Sequence, residues 1–208
     1  MHIDLDEELK EDLRWWLSTL RHLRDQGSRI WLKESDFTVL TTKSDASGHL
    51  GWGLVIGDTI HWSKWTPNEA LIKDMTFKEL VPILYLAETH GHLLRNKIVR
   101  VGIDNSAAVF DLLKGDSISP AVRYLLKRLA RAQAEFNFDL VGVHCEREKN
   151  KLADILTRFV EHEEIAAFLP DGWEVDMDEA SVSTSQWTLS PDSRRVFKMA
   201  LSRPSTTQ

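Results

Sequence analysis

Residues 99–110 read VRVGIDNSAAVF. Val99, Val101 and Ile103 alternate as one face of a strand, and Gly102 keeps the other face slim. The apolar pattern stops at Asp104 and Asn105, where Ser106-Ala107-Ala108-Val109 begins a helix. A carboxylate at the end of a buried strand is costly when nothing pairs with it. Asp104 is therefore a turn residue, the cap of the next helix, or one member of a charged site.

Working outward, the chain before this strand holds three short apolar or alternating runs, Phe37–Ser44, Gly51–Ile56 and Ile60–Trp65. Ser47-Gly48 and Gly57-Asp58 separate them, which predicts an antiparallel meander. A loop over Thr66–Asp74 leads to a predicted helix over 76–92, with Pro82 expected to kink it or delay its start. After the strand at 97–103 come predicted helices over 105–114 and 120–135, the second with Ser119 at the N-cap and Pro120 at its first position. A strand over 137–143 passes through the charged loop CEREKNK into a helix over 152–168. The order β-β-β-α-β-α-α-β-α predicts an α/β fold, a mixed five-stranded sheet flanked by helices.

The flanks differ from this middle. Leu9, Leu13, Trp16, Leu17, Leu20 and Leu23 fall at helical spacing in residues 6–26, so an amphipathic helix opens the chain. Three parts are expected: a helical extension over 1–36, the α/β domain over 37–168, and a mostly irregular tail over 169–208, acidic and then rich in Ser and Thr. Residues 1–36 carry 6 basic and 9 acidic side chains, residues 37–158 carry 16 and 14, and residues 159–208 carry 4 and 9. The overall charge of −6 shows no strongly basic nucleic-acid binder. A near-neutral domain that gathers acids in a metal site can still present a positive groove outside it. One cysteine, Cys145, excludes a disulfide framework, and no run of about 18 apolar residues suggests a membrane span. An intracellular setting is expected, cytoplasm and nucleus alike.

Four carboxylates stand at element ends. Asp45 ends the first strand, Asp104 the fourth, Glu79 lies on the first helix after the meander, and Asp154 near the start of the last helix. If strands one and four are parallel neighbours, Asp45 and Asp104 share one sheet edge, where open sheets place their ligands. Four converging acids repel one another unless divalent cations neutralise them. Oxygen donors without His or Cys suit Mg²⁺ or Mn²⁺. Two such ions about 4 Å apart clamp the attacking and leaving oxygens of a phosphodiester displacement. Taken singly, each acid has a plainer role. Asp45 fits a turn, Glu79 a capping box with Thr76, Asp104 a cap, and Asp154 a favourable charge on a helix dipole.

The motifs around these acids resemble the ribonuclease H domain of retroelement reverse transcriptases, over about residues 37–160. The resemblance is carried by Ser44-Asp45-Ala46-Ser47 with Gly51-Trp52-Gly53, by Phe77-Lys78-Glu79-Leu80, and by Ile103-Asp104-Asn105-Ser106. His144 with Asn150, Ala153, Asp154, Leu156, Thr157 and Arg158 is similar to the family's closing motif. The nearest likeness is to elements that encode a tyrosine recombinase. The resemblance implies a ribonuclease H-like fold and metal-dependent hydrolysis of the RNA strand of RNA–DNA hybrids. It makes Asp45, Glu79, Asp104 and Asp154 the catalytic ligands of two Mg²⁺ or Mn²⁺ ions. Ser47 and Asn105 stand where substrate contacts or turns are expected, and His144 either orders the final loop or closes a strand.

The resemblance extends to the flanks. Leu13, Trp15 and Trp16 resemble the segment joining polymerase to ribonuclease H, so a reverse transcriptase polymerase domain is an expected partner of residues 6–26. Trp187-Thr188-Leu189-Ser190-Pro191 resembles the stretch downstream, and the chain resembles a piece of a retrotransposon polyprotein. Glu146 and Arg147 replace the family's Pro and Gly, which predicts a reshaped loop over Cys145–Lys149, and Ser44 replaces its Thr. The competing reading is an inert or domesticated ribonuclease H-like module that only binds nucleic acid or protein. Retention of all four acids speaks against it.

Overall fold

The computed structural model describes residues 7–26, 38–158 and 174–175. They belong to two units, Met1–Thr38 and Val39–Gln208. The first unit holds α1 (Glu7–Gln26), a 20-residue helix. Leu9, Leu13, Trp16, Leu17 and Leu20 are all about half exposed along it. Trp15 and Trp16 meet edge to face, with ring centroids 4.8 Å apart.

The second unit is built on the meander β1 (Thr38–Ala46), β2 (Gly51–Ile56) and β3 (Thr59–Lys64). Both pairings are antiparallel, with Asp45 opposite Gly53 and Gly53 opposite Trp62. The loop after β3 holds a short helix the sequence did not signal, α2 (Pro67–Ala70). Thr66 and Glu69 form a reciprocal capping box around it. Next comes α3 (Met75–Thr89), which runs through the buried Pro82 and starts one residue earlier than expected. Asp74 caps it, its Oδ1 accepting from the Phe77 N–H at 3.1 Å. Thr76 therefore lies inside the first turn, and the expected Thr76–Glu79 capping box does not form. The short α4 (Gly91–Leu94) precedes β4 (Lys97–Ile103).

Helices α5 (Ser106–Lys114) and α6 (Pro120–Phe136) connect β4 to β5 (Asp139–His144). Gly115 and Asn137, both at left-handed φ, end the two helices. Ser119 occupies the N-cap of α6, but its hydroxyl donates to Asp74 Oδ2 at 2.8 Å instead of capping its own helix. Asp74 thus joins the starts of α3 and α6. A 3-10 turn (Arg147–Lys149) leads into α7 (Lys151–Leu156). The expected continuation of that helix to residue 168, and the Trp187–Pro191 stretch, lie outside the described residues. The two-residue β6 (Glu174–Val175) adds a parallel partner beside β3.

The sheet order is β5-β4-β1-β2-β3-β6, with β4 and β5 parallel. Its first five strands, in order 3-2-1-4-5, form the mixed five-stranded sheet flanked by helices that the sequence predicts. Alternation along β2 sorts its side chains. Trp52 and Leu54 join the main core with α3, α5 and α6, whereas Val55 packs with Ile60, Ala153 and Leu156 beneath α7.

Gly53 lies on the α7 side. A Cβ there would stand 2.5 Å from Leu156 Cβ and 2.6 Å from the Ala153 carbonyl oxygen. Half of that clash is with backbone, which cannot swing away. Gly53→Ala is expected to cost about 3 kcal/mol of stability, the upper part of the overpacking range. Urea unfolding of the variant checks this, and an unchanged midpoint would contradict it.

Candidate metal centre

Three carboxylates meet where β1 and β4 end. Asp45 is the penultimate residue of β1, Asp104 directly follows β4, and Glu79 is on α3. One oxygen from each lies within 4.8 Å of the others. Since both aspartates stand at the carboxyl ends of neighbouring strands, those ends open at the same sheet edge. The site thus sits where open α/β sheets hold their ligands.

The local structure leaves Asp104 unoccupied by structural duty. The cap of α5 is Asn105, whose Oδ1 accepts from the Ala107 N–H at 3.0 Å and the Ala108 N–H at 3.2 Å. The capping role open to Asp104 in the sequence therefore belongs to its neighbour. Glu79 is likewise free of the capping box once Asp74 takes the cap. It is only 3% exposed, and its Oε2 is buried with no hydrogen-bond partner.

Electrostatics record the crowding. Burial, then repulsion from Asp45 and Asp104, pushes the Glu79 carboxyl up to about 9, against the pull of the Ala46 N–H. Burial, then the charges of Asp104 and Asp154, raises Asp45 to about 7, while Arg147 and the Ala46 N–H pull it down. Such shifts arise where carboxylates are gathered without a neutralising cation.

Asp154, the fourth expected ligand, is not part of this three-acid group. It is close enough to raise Asp45, but arginines hold its carboxylate. Arg158 reaches both oxygens at 2.9 and 2.8 Å, and Arg147 reaches Oδ1 at 3.1 Å. Burial alone would raise Asp154, and the hydrogen bonds from the two guanidinium groups outweigh it and lower its carboxyl. Asp154 thus stands outside the three-acid group with its carboxylate held by two guanidinium groups.

The remaining sequence candidates have local partners. Ser47 Oγ accepts from the N–H groups of Leu50 at 2.8 Å and Gly51 at 2.9 Å, shaping the β1–β2 turn. Asn105 is the cap just described. His144 ends β5, exposed, opposite Ile103.

Two residues outside the predicted ligand set shape the centre. Lys78, next to Glu79, is 1% exposed and donates to the carbonyls of Gly48 and, at 3.3 Å, Ala70. Its ammonium also lies 5.3 Å from the Trp65 ring centroid. It braces the β1–β2 turn against α3, and nothing in its sequence context separates it from a surface lysine. Arg147 is the other. Its sequence signal was the departure from the family's glycine.

Asn150 ties α7 to the sheet. Its Nδ2 donates to the Ser44 carbonyl at 2.9 Å, one residue before Asp45, and the side chain is 1% exposed. Asn150→Ala is expected to destabilise the chain by about 2 kcal/mol, because a buried carbonyl loses its donor. Thermal unfolding measures the loss, and a change near zero would refute the tie.

No protein-family model and no curated protein matches the chain. Among solved structures it is similar to ribonuclease H1 from the halophilic archaeon Halobacterium salinarum NRC-1, at 17% identity and a TM-score of 0.44, covering 57% of this chain and 94% of that one. It is also similar to LC11-RNase H1 in complex with an RNA/DNA hybrid, at 23% identity and a TM-score of 0.43, covering 57% and 91%. A second structure of LC11-RNase H1, isolated from compost by a metagenomic approach, is 25% identical with a TM-score of 0.41, covering 65% and 99%.

Proposed function

We propose that this chain hydrolyses the RNA strand of RNA–DNA hybrids with divalent cations held at Asp45, Glu79 and Asp104. The observation that carries this reading is the buried, partnerless Oε2 of Glu79 inside a cluster of three acids drawn from three elements. A buried acceptor without a donor is expensive, and a cation is the partner that satisfies all three acids together. The donors are oxygens only, which suits Mg²⁺ or Mn²⁺. A bound divalent ion supplies Lewis acidity and an activated water for attack at phosphorus. The protein's own part is to hold three oxygens at one sheet edge and to keep competing donors away from Glu79 Oε2.

The hybrid as substrate rests on the motif resemblance, above all the stretch from His144 to Arg158. Contacts to the ribose 2′-hydroxyl would tell its RNA strand from DNA. On the same resemblance the chain is a piece of a retroelement reverse transcriptase, of the kind that encodes a tyrosine recombinase. Its divisions are then the helical extension 1–36, the nuclease domain 37–168 and the tail 169–208. The half-exposed leucines and Trp16 of α1 would meet the polymerase domain. Among the described residues no helix is long and apolar enough to cross a membrane.

The test is a labelled RNA–DNA hybrid incubated with Mg²⁺, beside RNA and DNA duplexes of the same sequence. Internal cuts in the RNA strand of the hybrid alone are expected. An RNA strand that stays intact while the chain still binds the hybrid would overturn hydrolysis in favour of an inert binding module.

A further inference from the structure

The loop that carries Arg147 is tied down on both sides. The Cys145 N–H donates to the Ile103 carbonyl at 2.9 Å, and Lys43 Nζ donates to the Lys149 carbonyl at 2.6 Å. Asn150 then holds the Ser44 carbonyl. Two of these three attachments lead to residues that directly precede cluster acids, Ser44 before Asp45 and Ile103 before Asp104. Arg147 is thus presented at the rim of the cluster, where it meets Asp154 at 3.1 Å while Arg158 takes the same carboxylate from the other side.

We propose that Arg147 and Arg158 form a latch on Asp154 that restricts the free protein to one divalent ion, and that a second ion binds only when Asp154 is released. This inference rests on the three-acid cluster being a metal site, as proposed above. That site has its own independent support in the buried Oε2 of Glu79, which has no hydrogen-bond partner. The first ion needs no rearrangement, because Asp45, Glu79 and Asp104 already converge. A second ion needs a further carboxylate. Asp154 belongs to the α7 turn that lies against Gly53, the residue opposite Asp45, and its oxygens are already taken by two guanidinium groups. Arginine keeps its charge at any accessible pH, so the latch opens by exchange of one cation for another, not by proton loss. The phosphate of a bound nucleic acid is one anion able to draw Arg147 away.

The latch arginines are largely exposed, with side chains 68% and 59% accessible, so their removal leaves the core intact. The test titrates Mn²⁺ alone into the full chain near neutral pH, following stoichiometry by calorimetry and ion pairing by electron paramagnetic resonance. The native chain is expected to bind one ion with an uncoupled spectrum. The Arg147→Gln/Arg158→Gln variant is expected to bind two, with spin coupling between them and second-site affinity raised by about tenfold or more, the scale of losing a group that orients a ligand. Two coupled ions in the native chain, or one ion in both, would overturn the latch while leaving the three-acid site standing. Absence of Mn²⁺ binding in both chains, with Glu79→Gln indistinguishable from them, would remove the site and the latch together.

Discussion

Asp104→Asn is expected to slow cleavage of an RNA–DNA hybrid by about 10³-fold or more, the scale set by removing a group that holds developing charge at a reacting centre. The substitution keeps the shape of the side chain and removes one of three carboxylates. Because Asn105 and not Asp104 caps α5, no backbone N–H loses a partner. The fold is therefore expected to persist. Removal of the charge also relieves Asp45 and Glu79, both of which Asp104 repels. The metal-free variant is accordingly expected to be as stable as the native chain or slightly more so. Activity and stability then move in opposite directions, which a merely structural role for Asp104 would not produce. Cleavage rates and thermal midpoints, measured on the same preparations, provide the check. Equal cleavage by both chains would refute a ligand role, and a collapsed midpoint would show that Asp104 serves the fold.

The stabilisation given by Mg²⁺ is expected to grow steeply with pH. In the metal-free protein Asp45 titrates at about 7 instead of 3.8, and Glu79 at about 9 instead of 4.5. The folded chain therefore keeps protons that the unfolded chain gives up. Stability from these two groups is fully present below their unfolded values. It is lost as pH rises through about 7 for Asp45 and about 9 for Glu79. Each proton contributes a slope of at most about 1.4 kcal/mol per pH unit in this window. A divalent ion binds the ionised carboxylates and reverses the trend, releasing those protons as it binds. The rise in thermal midpoint on adding Mg²⁺ is thus small in mild acid and largest in mild alkali. Glu79→Gln, which mimics the protonated acid, is expected to flatten the metal-free pH profile and to abolish most of the Mg²⁺ effect. A Mg²⁺ shift independent of pH in the native chain would show that these carboxyls are not what the ion meets.

Much of this architecture was legible before the fold was seen, for reasons that separate the successes from the failures. The strand at 97–103 and the strand at 51–56 have the predicted bounds, because alternation and flanking turn residues mark both ends. Gly102 does keep its face slim. A Cβ there would approach Cys145 at 3.3 Å and Lys43 at 3.5 Å, so the glycine makes room for the returning loop. Asp45 and Asp104 were recognisable jointly because each stands at the end of a strand, and Glu79 because it lies early on the helix that follows the meander. What failed was local competition between neighbours. Asp74 and Thr76 both suit an N-cap, and so do Asp104 and Asn105; sequence spacing gives no means of ranking them, whereas backbone geometry does. The arginine partners of Asp154 were not foreseen because they come from two directions. Arg158 at i+4 is readable from helix spacing, but Arg147 arrives through a 3-10 turn that no periodicity announces.

Gly53 gives the site a gauge. It stands opposite Asp45 in the β1–β2 register, and the Ala153–Leu156 turn of α7 rests directly on it. Asp154 belongs to that same turn. The interval between the three-acid cluster and Asp154 is therefore set by the α7 turn lying against the Gly53 backbone, with no side chain on Gly53 as spacer. Substitutions on the exposed face of α7 can change what Asp154 binds without changing where it stands, so its partners can be retuned on a fixed frame.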